Sequence, residues 1–344
     1  MLLLSDFDQA AVNGRVYRRD FGALSLFVYT EKTAHARDWC PITRAARGII
    51  FDRATGDIVA RPFSKFFNLG EMPETQPEVL PTGSFLVEEK LDGSLGVIFH
   101  HEGKWQIATK GSLNSEQAQY AQKHLMPRYN FEEALPGFTI LVEIIYPENR
   151  IVVDYGTSAE LVLLTSINNE TGEEGDPITR GVFADNLGMR EVPVHCFNNI
   201  LELPFRENHE GYVIRWTDCN TRVKVKSPRY VQVHRLLSYK SPRRILEAMQ
   251  DGTYEEIREQ LPHEIAGDFD DIAASLRMSI RQITDQAQRE FSRLSHLAEN
   301  RKQFAIAAQQ SDASIRPMLF SLLDGKSIES HAYTVVKRSL VETV

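Results

Sequence analysis

The sequence predicts an α+β protein in two parts, a β-rich domain over residues 1–240 and an all-α domain over residues 241–344. Two observations carry that expectation. Runs of β-branched and aromatic residues, broken by Gly, Asp and Asn, recur from residue 15 to residue 226. From about Ser241 these signals stop, and Ile265, Phe269, Ile272, Leu276, Ile280, Ile283, Ala287, Phe291 and Leu294 follow in steps of mostly three and four, the spacing of an amphipathic helix. The boundary is expected near Tyr239-Lys240-Ser241-Pro242.

Composition narrows the classes. A chain of 344 residues, 42% hydrophobic and 25% charged, has room for two cores and is ordinary for a soluble protein. A net charge of -8 argues against indiscriminate binding to nucleic acid, so a polyanion site must be a local patch. Cys40, Cys196 and Cys219 are far apart and odd in number, which suggests neither a disulfide framework nor a thiolate zinc site. Met1-Leu2-Leu3-Leu4-Ser5-Asp6 lacks a basic leader, and no run approaches eighteen apolar residues. A cytoplasmic location without a membrane partner is expected.

Taken in order, residues 15–30 read as two short strands joined at Phe21-Gly22, and 47–52 with 58–62 as a hairpin through Thr55-Gly56-Asp57. Phe63-Ser64-Lys65-Phe66-Phe67-Asn68-Leu69 follows, readable as core packing with a snorkelling lysine or, with Arg47 and Arg61 nearby, as charge and rings for a nucleotide. Next comes the hexad Glu89-Lys90-Leu91-Asp92-Gly93-Ser94, set between the strand-like runs Phe85-Leu86-Val87 and 95–99. Residues 105–110 read as a strand, and Ser115 as the N-cap of a helix to about Met126. Strands are expected at 138–146, 150–155 and 160–168, then a turn at 170–175 and a helix over 177–187. A hairpin through Asp218-Cys219-Asn220 joins 210–216 to 221–226. Helices at about 301–311, 315–324 and 328–341 complete the all-α part.

Several positions stand out chemically. A lysine held between two strands suits a nucleophile, but its amine is a poor one while protonated, at a reference pKa of about 10.4. Desolvation or neighbouring cations must assist it. Lys-x-Asp-Gly on its own is more often a surface turn than a catalytic site. Glu143 sits inside an otherwise apolar strand and needs a cation, a metal or a ribose hydroxyl, unless a salt bridge to Arg47 or Arg150 satisfies it. The two-residue period places Lys224 and Lys226 on one face, where like charges call for a partner. Residues 219–246 hold eight Lys or Arg and no Asp or Glu, interleaved with Tyr230, His234 and Tyr239. That segment is a positive field suited to phosphates, or a solvated basic helix.

In order and context, Lys90-Leu91-Asp92-Gly93, Leu141-Val142-Glu143, Glu210-Gly211-Tyr212-Val213 and Lys224-Val225-Lys226 resemble motifs I, III, IV and V of the covalent nucleotidyltransferases, the superfamily of ATP-dependent ligases and capping enzymes. The likeness extends over about residues 14–235 to the RNA ligase 1 family typified by the phage T4 enzyme. It is carried by Arg47-Gly48-Ile49-Ile50-Phe51, Arg61-Pro62, Lys65-Phe66-Phe67-Asn68-Leu69, Lys110-Gly111-Ser112, Asn149-Arg150-Ile151-Val152 and Glu170-Thr171-Gly172-Glu173. The resemblance implies a nucleotidyltransferase (ATP-grasp-like ligase) domain on antiparallel sheets, with the helical domain as an RNA-specificity module.

It also implies a three-step reaction. Lys90 attacks the α-phosphate of ATP and forms lysyl-AMP, AMP passes to an RNA 5′-phosphate, and a 3′-hydroxyl displaces it to seal the strand. Lys224 and Lys226 would bind the α-phosphate and help lower the pKa of Lys90; Glu143 would hold the ribose; Glu210 would coordinate or orient Mg²⁺, for which Mn²⁺ can substitute. Asp92 would contact the ribose or the surroundings of Lys90. Arg47, Lys65, Phe67, Glu89 and Lys110 would belong to the nucleotide site, Arg47 and Lys65 near phosphates and Phe67 near the base. Tyr230 matches a family position. The implied partners are RNA ends, such as those of a nicked tRNA in RNA repair, and a polynucleotide kinase or phosphatase that heals them. A DNA ligase, a capping-type nucleotidyltransferase and an inactive RNA-binding protein on the same fold remain the competing readings.

Overall fold

The computed structural model describes residues 2–219, 221–237, 241–259, 261 and 263–340. The expected boundary at Tyr239-Lys240, the turn residue Asn220 and the last residue expected in the final helix, Val341, lie outside them. Contacts divide the chain into two compact units, Met1–Val231 and Gln232–Val344.

The first unit is built on three sheets. β1 (Val16–Phe21), β2 (Leu24–Tyr29), β3 (Arg47–Asp52) and β4 (Ile58–Ala60) form an antiparallel meander. Gly22, at φ +58, makes the tight turn between the first two strands. One face of this meander buries Phe27, Ile49 and Phe51 under α1 (Leu4–Val12) and α3 (Pro41–Ala45), helices the strand pattern did not reveal. Its other face packs Leu24, Leu26, Ile50 and Ala60 against Val97, Phe99 and Leu141. α2 (Glu31–His35) is a short turn capped by Thr30.

The second sheet runs β11-β10-β9-β7-β8, from β7 (Ser94–His101), β8 (Lys104–Thr109), β9 (Phe138–Ile145), β10 (Glu160–Asn168) and β11 (Arg190–Glu191). Its outer face carries a core of Ile98, Ile107, Ile140, Val142, Ile144, Leu161 and Leu163. The expected helix after Ser115 is present as α4 (Glu116–Tyr120), with the Ser115 hydroxyl accepting from the Ala118 amide, and continues as wider and tighter turns to Arg128. α5 (Pro177–Leu187) begins at an Asp176 cap and ends at Gly188 in the left-handed region, as its sequence predicts.

The third sheet, β12-β6-β13-β14-β5, joins β5 (Phe67–Asn68), β6 (Phe85–Lys90), β12 (Val194–His195), β13 (Gly211–Trp216) and β14 (Arg222–Lys226). The sheets are not purely antiparallel: β14 runs parallel to β5, and β10 to β11, over two residues each. The strand expected over 150–155 does not form. The Val152 and Val153 amides instead donate to the Asp92 carboxylate, at 2.7 and 2.8 Å, so the segment wraps a side chain rather than a neighbouring strand. α6 (Pro228–Leu237) leaves the third sheet and crosses from the first unit into the second.

Among the described residues every regular element of the second unit is a helix: α7 (Pro242–Asp251), α8 (Tyr254–Glu259), α9 (His263–Leu294), α10 (Arg301–Ala308), α11 (Arg316–Leu323) and α12 (Glu329–Ser339), besides one short tight turn of helix at Ser295–Leu297. The predicted apolar stripe of α9 forms its spine. Phe269, Ala273 and Leu276 pack with Ile245, Leu246 and Val336, while Ala287 meets Ile315 and Met318.

Candidate active site

The second and third sheets face one another across a cavity of about 220 Å³, lined by Lys90, Lys224, Val213 and Glu88 on one side and by Glu143, Leu95 and Leu164 on the other. Strand periodicity explains the lining. In the ladders Lys90 lies opposite Gly211 and Gly211 opposite Lys226, while Glu88 lies opposite Val213 and Val213 opposite Lys224. All six therefore share a face. Gly211 is needed at the centre: at φ +143 an added Cβ would lie 2.1 Å from the Val225 carbonyl oxygen.

Lys90 ends β6 with its Nζ 2.7 Å from Glu210 Oε2. The other oxygen of Glu210 lies 3.0 Å from Lys226 Nζ. One buried carboxylate thus spans the nucleophile candidate and a second lysine. Lys226 also lies over the Tyr230 ring, 4.9 Å from its centre. The amine of Lys90 can reach a phosphorus atom only when it leaves Glu210.

Across the cavity, Glu143 accepts a hydrogen bond from the Gly93 amide at 2.9 Å. Neither of the salt bridges considered for it forms: Arg150 pairs with Asp154, and Arg47 donates to the Ser64 carbonyl. Burial pushes the Glu143 carboxyl up to about 7, against the opposing pull of Lys90. Gly93 lacks a side chain because β9 runs beside it; a Cβ would lie 2.5 Å from the Ile144 carbonyl oxygen.

Cations converge on the same space. Lys224 Nζ sits 4.9 Å from the centre of the Phe66 ring. Burial, then the neighbouring charges of Arg47, Lys65, Lys90 and Lys226, lower its pKa to about 7. Burial, with Arg47 and Lys110 nearby, lowers Lys65 as well. Arg47 lines the cavity with its Nε buried and unpartnered among the described residues. Lys65 and Lys110 lie beside it in an aromatic box: Lys110 donates to the Tyr29 hydroxyl at 3.0 Å, and Lys65 lies over Tyr29, Trp39 and Phe67.

Three expected site residues hold their side chains in contacts away from the cavity. Asp92 is buried with its carboxylate taken up by the Tyr230 hydroxyl at 2.6 Å and by the Val152 and Val153 amides, while its own amide donates to Tyr155. It holds the hexad in place rather than facing a ligand. The Glu89 carboxylate lies on the opposite face of β6, with His195 at 3.1 Å and Arg206 at 2.7 Å, so only its backbone is offered to the cavity. Phe67 is buried against Trp39 and Arg44, and the rings that line the cavity are those of Phe63 and its neighbour Phe66.

The residues missed by sequence reading are Phe66 as a lining ring, Tyr29, Trp39, Arg222, Glu174 and Tyr155. Arg222 lies 4.5 Å from the centre of Phe63, clamped by Glu174 at 2.7 and 2.8 Å. The strand period of 222, 224 and 226 is a signal for Arg222. Glu174 carries none, because its partner is 48 residues away.

Residues 45–230 match the model of an RNA ligase family, that of phage T4 RNA ligase 1, over more than half of the chain. The chain belongs to the RNA ligase 1 family. A protein of Thermovibrio ammonificans named "Putative RNA ligase" is 34% identical over 58% of this chain and 55% of its own. A baculovirus protein, the "Putative bifunctional polynucleotide kinase/RNA ligase" of Autographa californica nuclear polyhedrosis virus, is 24% identical over 65% of this chain and 35% of its own. The chain thus spans about half or less of the length of these curated relatives. Among solved structures, an archaeal ATP-dependent RNA ligase superposes with a TM-score of 0.51 at 16% identity, over 80% of this chain and 79% of that one. This likeness shows a ligase nucleotidyltransferase fold. No helix among the described residues is long and apolar enough to cross a membrane.

Proposed function

We propose that this RNA ligase family member is an ATP-dependent RNA ligase that joins 5′-phosphate and 3′-hydroxyl ends through lysyl-AMP and RNA-adenylate intermediates. The observation that carries the reading is the Lys90–Glu210–Lys226 chain at the rim of a cavity into which Lys224 and Arg47 also project. Every step of such a reaction moves a phosphoryl group between oxygens and one nitrogen, so the protein's work is positioning and charge neutralisation. Lys224, and Arg47 with its orphaned Nε, supply donors for the α-phosphate. Phe66 offers a ring to the base, Glu143 an acceptor for a ribose hydroxyl, and Lys65 and Lys110 charge for the departing pyrophosphate.

Among the described residues no group of three or more His, Cys, Asp or Glu could hold a metal ion. Glu210 nevertheless fits Mg²⁺ in the manner that ion favours, one carboxylate completed by substrate phosphates and water. Lys90 and Lys226 occupy that carboxylate here. A bound Mg²⁺ would neutralise phosphate charge; the chain's part is to release Lys90 from Glu210 as the nucleotide enters.

The decisive experiment strips bound nucleotide with pyrophosphate, then incubates the protein with α-labelled ATP or α-labelled GTP and Mg²⁺. Label from ATP alone, retained by the wild type and absent in Lys90→Ala, is the expected result. Label from GTP would assign capping chemistry, and none from either would assign an inactive RNA binder. RNA repair, including sealing of a cleaved tRNA after a separate kinase heals its ends, is the proposed setting. The kinase named in the baculovirus relative supports that partner class. Equal sealing of unstructured oligonucleotides and nicked tRNA would count against tRNA as the substrate.

A further inference from the structure

A second cleft, of about 580 Å³, opens on the far side of the wall formed by Phe63, Phe66 and Arg222, which it shares with the Lys90 cavity. Four cations line it: Arg44, Arg61, Lys65 and Arg222, against Glu74 and Glu174. Arg222 is neutralised by its bidentate hold on Glu174. Arg61 is not neutralised. Its guanidinium donates only to the Asn169 and Glu170 carbonyls, at 3.1 and 2.8 Å, and faces no carboxylate at ion-pair distance among the described residues.

The chain makes room for that arrangement. Gly172, at φ +77, would place a Cβ 2.4 Å from Arg61 Nη2, so the turn is shaped around the arginine. Lys65 likewise rests on rings and lacks a carboxylate partner at that distance among the described residues. Arg44 pairs only with the exposed Glu74, a bond an incoming anion can replace at little cost. Beside these charges are flat or apolar surfaces: Phe63, Pro62, Pro81 and Val79, the last 61% exposed.

Unbalanced positive charge alternating with rings and apolar faces is what binds a single strand of nucleic acid without reading its sequence. We infer that this cleft holds single-stranded RNA on its way to the nucleotide cavity, an inference that rests on the ligase reading above. A triphosphate tail needs less room than a cleft more than twice the size of the nucleotide cavity. Arg44 and Arg61 grip phosphates, and Phe63 and Val79 offer faces to the bases.

The test uses the full chain and a 3′-labelled, 5′-phosphorylated single-stranded RNA of about twelve nucleotides, enough for one such site. Fluorescence anisotropy is read in EDTA without ATP across a salt series. Arg44→Glu and Arg61→Gln are each expected to weaken binding about tenfold and to lower the salt slope by about one, with a thermal melt at the wild-type value for Arg44→Glu and a lower one for Arg61→Gln, which loses its bonds to the Asn169 and Glu170 carbonyls. Arg44→Lys should bind close to wild type. Wild-type affinity and slope in Arg44→Glu and Arg61→Gln would overturn the inference. So would a rise in the KM for ATP in lysyl-AMP formation with RNA affinity intact, which would give the cleft to the triphosphate. A wild type that binds RNA in this Arg44-dependent way yet takes no label from ATP would overturn the ligase reading and leave the cleft assigned.

Discussion

At Glu143 and Asp92, two carboxylates 51 residues apart in the chain solve burial in opposite ways. Asp92 gathers three donors, and losing one leaves buried charge exposed to the apolar interior. Tyr230→Phe removes the 2.6 Å donor and is expected to cost about 1–3 kcal/mol in urea unfolding. Glu143 has one amide donor and rises to about 7. Between its ordinary 4.5 and about 7 the unfolded chain gives up a proton that the folded chain keeps. Stability contributed by this group is therefore full below 4.5 and falls as pH climbs to about 7. In Glu143→Gln that fall is absent, so the Tm of the variant minus that of the wild type should increase from pH 4.5 to 7 and then level off. A difference that stays flat across this range would refute the assignment.

Among the elements, the glycines of β13 and of the hexad set how closely strands approach. Gly211→Ala puts a methyl 2.1 Å from the Val225 oxygen at a φ of +143, and the β13–β14 pair must spread. We expect a loss of about 1–3 kcal/mol or failure to fold, measured by thermal melt, with lysyl-AMP formation abolished in whatever folds. The longer strands were legible because each is an alternating or apolar run bounded by turn residues, whereas the two-residue strands β5, β11 and β12 offer no run to read. Residues 150–155 read as one more such run, and nothing local shows that their amides serve Asp92 sixty residues earlier. The motif lysines and Glu210 were legible by order and spacing. The orientation of Glu89 was open to the same period-two argument that placed Lys224 and Lys226, whereas Tyr29 and Trp39 reach the site through folding of the meander and leave no spacing to read.

On the scale of the whole molecule, every residue assigned to the nucleotide site falls within Met1–Val231, and the helical unit begins inside α6. The sequence change near Ser241 follows the end of α6. We propose that the helical unit selects among RNAs. A chain ended after Leu237 is then expected to form lysyl-AMP from ATP at close to the full-length yield while losing most sealing of structured RNA, compared in parallel gel assays. Equal sealing by both chains would remove that role. A further consequence concerns time during synthesis. The donor set of Asp92 is complete only when the Tyr230 hydroxyl arrives, 138 residues after Asp92 has been made. At about 5–20 residues per second a ribosome takes roughly 7 to 28 seconds to cover that distance. Throughout that interval the nascent chain carries Lys90 beside an Asp92 whose partners are incomplete, and a premature stop before residue 224 removes both Lys224 and Lys226 as well.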